Sequence, residues 1–137
     1  MVIDTSAIVA MLTEPDGPAY GAVVVAASTV AMSALNVYET RLVLTGRRPR
    51  APRFAPAVLA EFHSWLDLLQ VDVVPFDIEQ AILAHHAYQR FGKGFHAAAL
   101  NLADCAAYAL AKLRRESLLF KGEDFAQTDV EAALGSA

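Results

Sequence analysis

At 137 residues, 55% apolar and 19% charged, the chain is long enough to build a core without disulfides or a structural metal. Its single cysteine, Cys105, excludes an internal disulfide and a cysteine-based zinc site, and the formal net charge of -4 excludes a broadly basic nucleic-acid binder. No apolar stretch is long enough to span a bilayer, and Asp4 stands where a signal peptide would be basic, so a soluble cytoplasmic protein with no membrane partner is expected.

Residues 2–4 read as a first strand. Residues 7–12 continue as a buried helix with Thr5 or Ser6 as its N-cap, closed by Pro15-Asp16-Gly17-Pro18. A second helix is expected over residues 19–27. Residues 29–32 form strand 2, and Ser33 caps a helix that runs through Leu44. Residues 45–56 are a loop punctuated by Gly46, Pro49, Pro52 and Pro56. Leu59, Phe62, Leu66 and Leu69 recur at helical spacing and mark a long helix, followed by strand 3 at residues 71–75. Asp77 caps the next helix, which extends to about Arg90. A turn at residues 91–96 precedes a helix over about residues 98–115. Residues 118–120 are strand 4, and Thr128-Asp129-Val130 opens either a short fifth strand or a capped terminal helix. This alternation predicts an α/β fold, one domain over residues 1–137, with a parallel sheet covered by helices on both faces. The 27 alanines imply that both sheet faces are covered or that an apolar face is kept for a partner.

The carboxylates carry the chemistry. Asp4 falls where a strand hands over to a helix, the edge at which open α/β sheets bind ligands; it can equally serve as a plain helix cap. Glu39 has Leu35, Leu42 and Val43 one turn away, and Asp104 has Leu100, Ala107 and Tyr108, so both sit on apolar helix faces where an unpaired carboxylate is costly. Asp124 follows strand 4 through Lys121-Gly122-Glu123. With strands 1 and 4 as neighbours, the four acids converge and repel, and a hard divalent cation, Mg²⁺ or Mn²⁺, relieves that repulsion. Such an ion activates a water and steadies the charge on a phosphate.

The motifs Val2-Ile3-Asp4-Thr5-Ser6-Ala7 and Asn36-Val37-Tyr38-Glu39-Thr40 are joined by a third over residues 102–111 and by Leu118-Leu119-Phe120-Lys121-Gly122-Glu123-Asp124-Phe125. In this order the chain resembles PIN-domain nucleases, specifically VapC toxins of bacterial type II toxin–antitoxin pairs. The resemblance implies a three-layer α/β/α sandwich with a mostly parallel central sheet, Mg²⁺-dependent endoribonuclease activity and inhibition by a cognate VapB-type antitoxin. It also implies Asp4, Glu39, Asp104 and Asp124 as catalytic metal ligands, with Thr5 or Ser6 supporting the metal waters. Whether Glu123 or Asp124 faces the metal stays open at this level.

An acidic cleft needs cations elsewhere to draw RNA. Arg47, Arg48, Arg50 and Arg53 cluster in the loop, with Arg41 one turn inside the preceding helix; Lys121 beside Asp124, and Lys93 and His96 in the turn, are weaker candidates. His63, His85, His86 and His96 make no ligand pair of helical spacing. Helices 1 and 2 and residues 39–65 are expected to supply a homodimer face and a groove for an antitoxin helix. The competing functions are a housekeeping RNA-processing nuclease and a non-catalytic RNA- or partner-binding module. A haloacid-dehalogenase-type phosphatase would want a second aspartate at Ser6, and a receiver domain lacks its strand-end lysine.

Overall fold

The computed structural model describes residues 1–46 and 56–135. Four strands, β1 (Val2–Ile3), β2 (Ala31–Ser33), β3 (Asp72–Val74) and β4 (Leu118–Leu119), form one parallel sheet in the order β3-β2-β1-β4. The helices are α1 (Thr5–Thr13), α2 (Gly17–Ala26), α3 (Ala34–Thr45), α4 (Pro56–Leu68), α5 (Ile78–Phe91) and α6 (Leu102–Arg114). Among the described residues no helix is long and apolar enough to cross a membrane.

Successive strand residues point to opposite faces, and this period of two divides the core. Val2, Ala31 and Leu118 pack with α5 and α6, including Ala84, Phe91 and Tyr108. Their neighbours Ile3, Met32 and Leu119 pack on the other face with Ile8, Val24, Leu44 and Phe62 from α1 to α4. Helices therefore cover both faces, giving the α/β/α sandwich.

Local boundaries differ from the sequence expectation for identifiable reasons. Neither Thr5 nor Ser6 caps α1. Asp4 does, accepting the Ser6 N–H at 2.8 Å, where a carboxylate also complements the positive end of the helix dipole. Helix α2 starts two residues early at Gly17, because Pro18 suits a first turn and the helix begins hard against α1. A Cβ on Gly17 would lie 2.7 Å from the Met11 carbonyl oxygen and 2.8 Å from that of Ala10.

Helix α6 starts at Leu102 rather than at residue 98. Ala99 has φ +51, which no right-handed helix passes through. Asn101 then accepts the N–H groups of Ala103 (2.7 Å) and Asp104 (3.1 Å), while Asp104 accepts that of Asn101 (2.7 Å), a closed capping box. Residues 128–130 form neither of the expected elements. A 3-10 turn, Phe125–Gln127, precedes them, and Asp129 is held by the Tyr108 hydroxyl at 2.5 Å and by Lys112. The chain then makes one isolated parallel bridge, Ala132 to Leu118.

Candidate metal centre

Strand β1 is central, and the chain leaves it toward β2 on one side and returns to β4 on the other. That switch point brings the carboxyl ends of β1 and β4 together, the crevice where open α/β sheets hold ligands. Asp4 follows β1 directly and is 2% exposed. Its Oδ2 accepts from the Ser6 N–H (2.8 Å) and the Ser6 hydroxyl (2.6 Å), and its Oδ1 accepts from Asn36 Nδ2 (3.0 Å). Ser6 Oγ in turn accepts the backbone N–H of Lys121 at 3.0 Å, which ties the Asp4 loop to the chain leaving β4. The Thr5 hydroxyl donates to the Asn36 carbonyl at 3.3 Å.

Asp104 enters from the first turn of α6 and Glu39 from α3, where it is half-buried. Asp4, Glu39 and Asp104 line one open cleft of about 330 Å³ together with Ser6, Asn101 and Lys121. Asp124 does not line it; it is exposed in the loop after β4, yet its charge acts on Asp104. Glu123 points elsewhere, into a separate cleft with Asp16, Tyr20 and Phe120. A larger cavity of about 560 Å³ between α5 and α6 is lined by Phe76, His85, Tyr88, Lys93 and Cys105, and among the described residues no carboxylate lines it.

The carboxylates stand in an unfavourable field. Burial pushes the Asp4 carboxyl up to about 6, against the lowering effect of its Ser6 bonds, and the Glu39 charge adds to the rise. Burial is also the largest cause at Asp104, pushed up to about 7. The charges of Asp4, Glu39 and Asp124 add to it, and only the Asn101 N–H opposes. A divalent cation would reverse that balance, and an all-oxygen donor set suits a hard ion. Among the described residues, no three His, Cys, Asp or Glu side chains form a ready-made metal cage. Both oxygens of Asp4 and one of Asp104 accept from protein donors, which fixes their orientation and leaves lone pairs for an ion. Such a site fits an ion that keeps several waters, as Mg²⁺ does, better than a closed zinc cage.

The described cations near the site have protein partners. The Lys121 ammonium lies 2.5 Å from Glu14 and 2.7 Å from Asp16, so its charge is met by the α1–α2 turn. Arg41 turns its guanidinium to His63 on α4. Arg47, Arg48, Arg50 and Arg53 lie outside the described residues. His96 Nδ1 accepts the Ala98 N–H, and no histidine among the described residues lines the acidic cleft.

Sequence reading gave no role to Asn36, nor to the acids that anchor Lys121. The capping box was discoverable, since Asn101 and Asp104 have its spacing. Asn36 was not, because its partners lie 32 and 67 residues away in the chain.

Over residues 1–131 the chain matches the PIN domain family. It is 45% identical over 131 residues to the ribonuclease VapC30 of Mycobacterium tuberculosis, covering 95% of each chain. It is 44% identical over 133 residues to the ribonuclease VapC of Mycolicibacterium smegmatis, covering 96% of this chain and 98% of that one. Its fold matches the crystal structure of Mycobacterium tuberculosis VapC20, described as a sarcin-ricin loop cleaving toxin. The TM-score is 0.70 at 16% identity, over 94% of this chain and 95% of the other. A toxin–antitoxin complex from Klebsiella pneumoniae matches with a TM-score of 0.66 at 17% identity, over 93% and 92%.

Proposed function

The chain belongs to the PIN-domain family, among the VapC ribonucleases, and from that premise we propose that it is a divalent-metal-dependent endoribonuclease, the cytoplasmic toxin of a VapBC-type pair. The observation that carries the reading is the meeting of Asp4, Glu39 and Asp104 in one cleft at the switch point, with the charge of Asp124 bearing on it. Asp4 and Asp104 would hold Mg²⁺ or Mn²⁺, and Glu39 and Asp124 would complete the negative field around it. Bound there, the cation supplies an acidified water as nucleophile and offsets the charge that builds on the phosphate. Ser6 keeps the Asp4 carboxylate oriented, and Thr5 and Ser6 line the cleft with it, where they would support the waters of a bound ion.

RNA phosphates are drawn by the arginines that follow α3 in the sequence, Arg47, Arg48, Arg50 and Arg53, together with Arg41 on α3. Lys121, engaged by Glu14 and Asp16, serves to pin the β4 loop rather than to grip substrate. Purified protein incubated with total RNA and with tRNA should give discrete fragments on a denaturing gel with Mg²⁺ or Mn²⁺ and none with EDTA. Equal cutting in EDTA would overturn metal dependence; intact RNA in every lane would overturn the nuclease.

The partner surfaces follow from what stays apolar and exposed. On α1 and α2, Val9, Met11, Leu12 and Val23 are half-buried, and among the described residues Val25 is the large apolar side chain that stands fully exposed. Tyr38 and Leu42 on α3, Ile78 and Ile82 on α5, and Leu102 at the start of α6 are all exposed. We assign the homodimer face to the exposed apolar side chains of α1 to α3, Val25, Tyr38 and Leu42 among them. The VapB-type antitoxin approaches the cleft with a basic side chain, which the clustered carboxylates attract. Light scattering at micromolar concentration should read a dimer; a monomer there would remove that assignment.

A further inference from the structure

Asn36 has no exposed surface, yet it carries an amide with four hydrogen-bonding positions. Its Nδ2 donates one hydrogen to Asp4 Oδ1 at 3.0 Å and the other to the carbonyl oxygen of Ala103 at 3.1 Å. These acceptors belong to different layers of the fold. Asp4 ends β1, and Ala103 lies in the first turn of α6, one residue before Asp104. A single planar amide therefore spans the two segments that carry the buried carboxylates.

The amide's orientation follows from chemistry. The Ala103 carbonyl and the ionised Asp4 carboxylate only accept, so turning the amide over would set oxygen against oxygen at both contacts. Its backbone is held as well: the Thr40 hydroxyl donates to Thr5 Oγ1, and Thr5 donates to the Asn36 carbonyl, both at 3.3 Å. Asn36 Oδ1 is buried with no partner among the described residues. A buried acceptor left this way is costly, and an apolar side chain such as leucine would avoid that cost. A leucine would also leave Asp4 Oδ1 and the Ala103 carbonyl without this donor. The orphaned oxygen is thus tolerated at the one side chain that bridges both acid-bearing segments.

We propose that Asn36 is a positioning residue: its amide bridge holds the Asp4 carboxylate and the first turn of α6, and with it Asp104, in the arrangement that lets the two carboxylates share one divalent cation. The inference rests on the reading of this cleft as a metal centre. Asn36 itself touches neither substrate nor ion.

Mn²⁺ binding to the full chain, followed by the electron paramagnetic resonance signal of the free ion, tests it. Wild type, Asn36→Ala, Asn36→Leu, Thr40→Val and Asp104→Asn are compared at a temperature where circular dichroism shows each folded. Loss of a hydrogen bond that orients a metal ligand weakens affinity about 10- to 100-fold, so both Asn36 variants should bind Mn²⁺ at least about tenfold more weakly. Thr40 belongs to the same buried network but contacts neither carboxylate. Thr40→Val should lower the melting temperature and leave Mn²⁺ affinity at the wild-type value. Folded Asn36 variants that bind as wild type does would overturn the proposal, as would an equal loss in Thr40→Val, which would make the effect one of packing. If wild type and Asp104→Asn bind alike, the metal-centre reading itself fails, and that outcome is separate from the other two.

Discussion

Asp104→Asn is expected to lower the rate of RNA cleavage at least about a hundredfold while the chain stays folded, and Asp4→Asn to do the same at a cost in stability. The rate effect has one origin in both. Each substitution removes a charge from the cleft that holds the cation, and loss of a single electrostatic contributor of this kind typically costs about 10²–10³ in rate. The stability effects differ because of what each carboxylate touches. Asparagine at 104 can still accept the Asn101 N–H through its remaining oxygen, so the capping box survives. At position 4 both oxygens accept, one from Ser6 and one from Asn36. Whichever way an asparagine turns there, its NH₂ meets a donor, and about 2 kcal/mol of stability should be lost. A denaturing gel with thermal melts of both variants checks the pair of outcomes. Wild-type cleavage by Asp104→Asn would remove that carboxylate from the reaction.

The second large effect concerns stability in the absence of metal. Asp4 and Asp104 have folded-state values of about 6 and about 7 against an ordinary 3.8. Between the ordinary value and the raised ones, the folded chain binds more protons than the unfolded chain. Stability therefore falls as pH rises through this window, and the full penalty is present above pH 7. The acids held low have the opposite sign. Glu116 beside the N-terminal ammonium and Arg114, and Asp129 beside Tyr108 and Lys112, contribute stability that is lost as pH falls below the ordinary carboxylate range. Metal-free protein should thus be most stable near pH 5 and melt at lower temperature at pH 8.

The size of the effect is set by Asp104. Its rise from 3.8 to about 7 has a ceiling of about 4 kcal/mol, and solvent contact and its proximity to Asp4 reduce the expected value to roughly 2 kcal/mol. Calorimetry in EDTA should show Asp104→Asn melting above wild type at pH 8 and close to it at pH 5. Added Mg²⁺ or Mn²⁺ should raise the wild-type melting temperature more at pH 8 than at pH 5. A flat profile for wild type between pH 5 and 8 would contradict the placement of these two carboxylates in one desolvated field. The same residues that hold the ion for catalysis destabilise the fold without it.

Much of this was written in local sequence. Strands of β-branched and aliphatic residues, separated by helices with apolar spacing, were enough to predict a parallel α/β sandwich, and Ser33 and Asp77 cap their helices as their residue types suggest. The motifs around Asp4, Glu39, Asp104 and Asp124 were recognisable because each keeps its own neighbours. Asp4 also shows that two readings of one residue need not compete: it is the cap of α1 and part of the acidic cleft. Helix ends were less legible. The start of α6 moved because a left-handed Ala99 and a reciprocal cap overrode the alanine-rich pattern before it.

What the sequence determined by itself, then, is what depends on near neighbours: element type, the two-face division of the sheet, and which acids stand at strand and helix ends. Only the tertiary structure decided which charges meet. Lys121 stands beside Asp124 in the chain, yet Glu14 and Asp16, more than 100 residues earlier, hold its ammonium. Glu123 and Asp124 are adjacent in sequence, yet Glu123 lines a separate cleft while the charge of Asp124 bears on Asp104. Asn36 joins Asp4 to α6 across 32 and 67 residues. The reason is physical: hydrogen bonds and charge pairs act over a few ångströms of space, and periodicity along a chain carries no measure of that distance until the sheet has brought the layers together.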